Sequence, residues 1–118
     1  MNEIIFIEKL HKVLKNGTIN DIEDTIRNPP GRQPDKSLLA LSKWYNSLQS
    51  EDKANLRRII NLSVDSAIFG FLCILDGVRT IEDNFEKGTF ELYYKKGEKK
   101  ILLYNENKEF LHDIYKSI

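Results

Sequence analysis

The sequence predicts an α+β fold, mainly α: a helical bundle around one long central helix, with a C-terminal β-hairpin and a final helix. Three observations carry this. Residues Ser50 to Gly77 keep helical spacing throughout and carry no charge from Ala67 to Leu75. Thr89 to Tyr104 changes to an alternation of period two around Lys95-Lys96-Gly97-Glu98. The segments on either side, 3–49 and 105–118, return to stripes of helical period.

The central helix begins amphipathic and ends apolar on all sides. Leu56, Ile59, Ile60 and Ser63 share one side, while Arg57, Arg58 and Asn61 lie elsewhere. Within the nine uncharged residues from Ala67 to Leu75 only Gly70 interrupts the large side chains. A helix apolar all round is expected to be enclosed all round. Ser50 is placed to cap its start, Glu51 and Asp52 complement the dipole there, and Gly77 supplies the left-handed residue that ends it.

Taken from the N-terminus, Glu3 to Asn16 reads as a helix closed by Gly17, burying Phe6, Ile7, Leu10, Val13 and Leu14. Glu8, Lys9, Lys12 and Lys15 then face water. A second helix starts at Thr18 or Asn20, buries Ile19, Ile22 and Ile26, and stops at Asn28-Pro29-Pro30-Gly31. Asn28 to Lys36 holds three prolines and Arg32, and reads as a stiff connector or a partner-binding loop. Ser37 to Gln49 is the third helix, capped by Ser37 and anchored in the core by Trp44, with Leu38, Leu41, Tyr45 and Leu48 beside it. Its short link to the central helix predicts an antiparallel pair.

Beyond Gly77, Val78 to Lys87 either extends a helical turn or runs irregularly, and Gly88 resets the chain. Thr89 to Tyr94 and Lys99 to Tyr104 form the hairpin. A bulged turn at Gly97 brings Leu102 and Lys100 to face Phe90 and Leu92; a two-residue turn brings Leu103 and Ile101 instead. Asn105 or Asn107 caps the last helix, whose buried stripe is Phe110, Leu111, Ile114, Tyr115 and Ile118.

One chain of 118 residues is expected to form one domain, 1–118, with a core that needs no staples. Eighteen basic residues balance eighteen acidic ones, so no electrostatic footprint for nucleic acid or an anionic membrane is present. The nine-residue apolar run is about half of what a membrane span needs. The start, MNEIIFIEKLHK, does not resemble a secretion signal, and a cytoplasmic location is the simplest expectation. Abundant Lys, Ile and Asn point to a bacterial source. The single Cys73 stands among Leu72 and Ile74 as a buried filler rather than a thiolate nucleophile.

Candidate chemistry is sparse. Glu8 with His11 and Glu109 with His112 have the i, i+3 spacing of carboxylate-bridged metal sites, but both pairs fall on the water side of their helices. No metal, cofactor or catalytic motif is predicted. Asp65 meets Leu62, Ile68, Phe69 and Leu72 one turn away, which makes it a carboxylate set against the core. Such a group either raises its pKa or finds a donor, and Arg79, Trp44, Tyr45 and the hairpin tyrosines are the candidates. Asp76 sits where the helix dipole disfavours it, with Arg79 to offset the charge. With Glu82, Asp83 and Glu86 these form an acidic segment suited to a basic partner or simply solvated. The hairpin tip, Lys95, Lys96, Lys99 and Lys100, has the opposite sign and either guards the sheet edge or meets an acidic partner. The two patches permit head-to-tail self-association, so the chain is read as a monomer or homodimer.

SVDSAIFGFLCILDGV, with the later FELYYKKGEKKILL and FLHDIY, resembles small bacterial proteins of unknown function. Proteins of that size and makeup include immunity partners in toxin systems, which implies a protein-binding role and transfers no residue. Two functions are weighed on these grounds. One is a non-enzymatic interaction or immunity-type accessory factor. The other is a small-ligand binder or enzyme using Asp65 in a pocket, for which a raised pKa at Asp65 would be the mark.

Overall fold

A computed structural model describes residues 1–118. The chain forms helices α1 (Glu3–Lys9), α2 (Gly17–Arg27), α3 (Lys36–Ser47) and α4 (Ser50–Leu75), an antiparallel hairpin of β1 (Leu92–Lys96) and β2 (Lys99–Tyr104), and a short α5 (Leu111–Lys116). This is the α+β, mainly helical architecture that the periodicity predicts, with a long central helix, a hairpin and a final helix.

The first two helices are one rod. Asn2 caps it, its side-chain oxygen accepting from the Ile5 amide at 2.9 Å. Gly17 does not close it: its φ of −60° is helical, and a π-helical stretch, Leu10–Asn16, runs straight into α2. A π-helix bonds i to i+5 and winds more slowly than an α-helix. Past Leu10 the wheel of 100° per residue therefore loses its phase. Val13 and Leu14, expected inside, are exposed. Lys15, expected in water, turns inward.

Helix α3 departs from expectation in three ways. Its cap is Asp35, which accepts from the Leu38 amide, not Ser37. Its buried line is Ser42 and Tyr45, while Trp44 is half exposed and Leu41 lies outside. Two polar side chains set that rotation: Ser42 Oγ and Asn46 Nδ2 both donate to the Arg27 carbonyl, at 3.4 and 3.0 Å, closing the C-terminus of α2. So α3 packs on α2, where Ile19 and Ile26 are buried, and does not pair along α4. It meets α4 at their corner, where Lys53 Nζ stands 5.1 Å from the Tyr45 ring centre.

Helix α4 has no side-chain cap; Gln49 is its N-cap residue and Ser50 is already helical. Its expected enclosure fails. The core formed by Ile7, Ile68, Leu72, Tyr104, Leu111, Ile114 and Tyr115 covers one face of its second half. Along the first half, Arg57 reaches Glu23 and Asn20 of α2. Away from that core, Ile59 and Phe71, on the i, i+4 row that runs through Ser63 and Ala67, are bare, as is Leu62 on another side of the helix. The reason is a shortage of elements: α3 is committed to α2, the hairpin leans on α1, and 78–91 forms no regular structure. Asp76 and Gly77 end the helix, Gly77 in the predicted left-handed conformation at φ +77°.

The hairpin turns through two residues, Gly97 (φ +61°) and Glu98, with Lys96 opposite Lys99 and Tyr94 opposite Ile101. The strand starts at Leu92 rather than Thr89, and a bulge after Leu92 sets it against Tyr104 in place of Leu103. Leu103 and Tyr104 are the buried end of the hairpin. Neither Asn105 nor Asn107 caps the last helix. The Asn105 side chain accepts from the Asn107 amide and closes a local turn instead. Helix α5 begins six residues after Asn105, and its cap comes from a distant part of the chain.

That cap is Asp76. Its carboxylate accepts from the amides of Leu111 (3.0 Å) and His112 (2.8 Å), and lies 2.5 Å from His112 Nδ1. The side chain is wholly buried. The negative charge that the C-terminus of α4 disfavours is held by the N-terminus of α5. Arg79, the expected counterion, is not its partner. The Tyr104 hydroxyl completes the junction by donating to the Asp76 carbonyl at 3.2 Å.

Two stability changes follow. Asp76→Ala strands two amide donors at a buried helix start and should cost about 3 kcal/mol in urea unfolding, with Asp76→Asn losing less because one acceptor remains. A loss below about 1 kcal/mol for the alanine variant would contradict the capping account. Trp44→Ala, removing a half-exposed ring, should cost under about 1 kcal/mol; a loss above about 3 would return Trp44 to the core.

Candidate functional site

The slow winding of the π-helical stretch brings His11 and Lys15 onto the flank of α4. Lys15 Nζ lies 3.0 Å from Asp65 Oδ1, its side chain only 15% exposed. From the other side α5 delivers Tyr115, whose hydroxyl donates to the same oxygen at 2.7 Å. The His11 and Tyr115 rings meet at 5.7 Å. Asp65 is thus gripped by an amine and a phenol from two elements, while 41% of its side chain still faces solvent.

These contacts settle the protonation of the carboxyl. The Tyr115 hydrogen bond, followed by Lys15, holds Asp65 below the usual carboxylate range, and partial burial opposes this without reversing it. Burial, and then the hydrogen bond to Asp65, push the Tyr115 phenol well above its ordinary value. Asp65 therefore stays an anion and Tyr115 stays a neutral donor. This is the arrangement of a fixed ion pair, and it lacks the raised pKa expected of a carboxyl that carries protons.

The third wall comes from the chain after α4. Arg79 folds back so that its guanidinium lies on Gly70; a Cβ built there would come within 2.7 Å of Nη1. A glycine inside a helix costs about 1 kcal/mol relative to alanine, and here it clears the seat for that guanidinium. Arg79 has no carboxylate within ion-pair distance. Lys116 Nζ stands 5.7 Å from the Phe69 ring centre, also without an acidic partner. Together these groups line an open cleft of about 530 Å³.

Of the ligand and partner candidates read from the sequence, the fold brings Asp65 and Arg79 into this cleft and leaves the others apart; His11, expected on the water side of its helix, and Cys73 line it too. Asp76 is sealed in its capping role and is not available to a partner. Glu82 accepts from the Gly88 amide at 3.0 Å and closes its own loop. Asp83, Lys95 and Lys96 are exposed, the lysines on the hairpin near its turn. The predicted donors to Asp65 were Arg79, Trp44, Tyr45 and the hairpin tyrosines; the actual donors are Tyr115 and Lys15. His112 was expected in water and instead turns onto Asp76, its ring edge-on to Phe69. Cys73 is buried, and burial pushes its thiol up, as a filler requires.

No protein family, curated protein or solved structure matches this chain. The likeness seen over Ser63 to Val78 therefore assigns no role to any residue, and the site stands on its geometry.

Replacing Tyr115 with Phe keeps the packing ring and removes the main donor to Asp65. Carboxyl-carbon NMR should then show the Asp65 pKa rising toward its ordinary value of about 3.9. Because the native pKa lies below the unfolded one, this carboxylate stabilises the fold above about pH 4, and the contribution fades as pH falls through the native value. The variant should lose less stability on acidification than the parent chain. An unmoved Asp65 pKa would show that the phenol does not hold it.

Proposed function

We propose that the chain is a non-enzymatic protein-interaction module that works through the uncovered face of α4, and that a second copy of the chain is its first partner. The bacterial, cytoplasmic, immunity-type or accessory role expected from the sequence belongs to the same reading. Surface area carries it. A compact monomer of 13.8 kDa exposes about 6,600 Å², whereas this chain exposes 8902 Å². The excess, about 2,300 Å² per chain, is of the size that obligate pairs remove from solvent.

The apolar content of that surface supports a protein partner over water. Phe71 is 57% exposed and Ile59 61%, with Ser63 and Ala67 between them on the same i, i+4 row to let a second helix approach closely. The charge layout agrees with self-association: lysines crowd the hairpin tip, acids crowd 82–86, and the whole chain is neutral. α4 is also long and apolar enough to cross a membrane by length and composition, and about a fifth of its most apolar stretch is buried. Insertion, however, would strip Ile68 and Leu72 out of the core and Asp65 from Lys15 and Tyr115. A proton-transfer enzyme is disfavoured by the lowered pKa of Asp65.

Analytical ultracentrifugation at about 100 µM should give about twice the chain mass. Ile59→Asp combined with Phe71→Asp should return it to one chain with an unchanged far-ultraviolet spectrum. A parent chain that sediments as one copy at that concentration would remove the second copy as partner. Binding to lipid vesicles abolished by the same pair of changes would place the face on a membrane and overturn the reading.

A further inference from the structure

We propose that the cleft between the π-helical stretch, α4 and α5 binds a phosphate monoester carrying a small apolar body. Three cations, Lys15, Arg79 and Lys116, line it against one acidic side chain, Asp65. Lys15 is spent on Asp65 at 3.0 Å. Arg79 and Lys116 have no carboxylate partner, so two positive charges converge on the space uncompensated. A dianionic head answers both at once, and the planar guanidinium fork suits phosphate oxygens in a bidentate contact. The Ser66 hydroxyl also lines the cleft and makes no hydrogen bond within the chain.

The remaining wall selects for a body behind that head. Phe69, Cys73 and Val78 give the cleft an apolar side, and its volume of about 530 Å³ lies within the range of small-molecule sites. The strongest sign of a built site is Gly70. It gives up helix stability in the last third of α4, and the space it frees is filled by the guanidinium of Arg79. Asp65, held ionised by Tyr115 and Lys15, is not a ligand for the anion. Its fixed charge keeps Lys15 in place and repels a ligand seated too deep, which directs the head toward Arg79 and Lys116.

Amide NMR titration of the full chain with phenyl phosphate tests this. Saturable shifts are expected at Gly70, Arg79 and Lys116, with inorganic phosphate and phenylacetate each binding more weakly. Arg79→Gln should weaken phenyl phosphate about tenfold without unfolding the chain, since Arg79 makes no ion pair. Gly70→Ala is the sharper variant. Its methyl group displaces the guanidinium while improving the helix, so the melting temperature should hold or rise as affinity falls by a similar factor. Absence of saturable shifts at about 10 mM overturns the proposal. So does unchanged affinity in both variants. Inorganic phosphate binding as tightly would remove the apolar body, and phenylacetate binding more tightly would replace the phosphate.

Discussion

The structure turns on one buried carboxylate. Asp76 ends the longest helix and begins the shortest, accepting two amides and approaching an imidazole at the start of α5. A six-residue helix is far below the length that stands alone in water. α5 exists because its first turn is capped from outside and because Leu111, Ile114 and Tyr115 are buried. Through α5 the same carboxylate reaches the cleft, since Tyr115 and Lys116 arrive there only if this helix is docked. Junction and site are therefore linked in series: Asp76 positions α5, α5 positions Tyr115, and Tyr115 holds Asp65 ionised.

The second constraint is a mismatch of length. α4 is about 39 Å long at the usual rise per residue, while a compact chain of this size has a radius of gyration of about 13 Å. The observed radius is 18.5 Å, with extents of 51 × 37 × 30 Å. The helix overreaches the body that the remaining elements can build. Its core-facing side is satisfied within the chain and its other side is not, so the apolar character that makes it central also makes it sticky. That is the physical root of the interaction reading.

Much of the architecture is legible in the residues. Period and punctuation locate the helix from Ser50, its end at Gly77, the hairpin around Gly97 and the stop after Arg27. What escapes reading has specific causes. Nothing in LHKVLKN marks a π-helical stretch, and its slower winding swaps Lys15 inward and Val13 outward. Trp44 is read as an anchor from its size and its place on the stripe with Leu38, Leu41, Tyr45 and Leu48, whereas Ser42 and Asn46 fix the rotation of α3 through the Arg27 carbonyl. Asp65 and Arg79 are recognisable as candidates, but Tyr115, Lys15 and Lys116 join them only in three dimensions. The one visible hint is Gly70, an unforced glycine in an apolar helix. Asp76 is noticed for a charge in the wrong place; its remedy lies 35 residues away at Leu111, beyond any local pattern.

Native-state hydrogen exchange at the Leu111 and His112 amides tests the Asp76 junction most directly. First-turn amides of a short helix ordinarily exchange at rates close to those of an open chain. If Asp76 holds them, both should be protected nearly as well as the Leu72 amide in the middle of the core, and should exchange only on global unfolding. Rapid exchange at Leu111 and His112 while Leu72 stays protected would show that α5 frays free of α4, and would contradict the account.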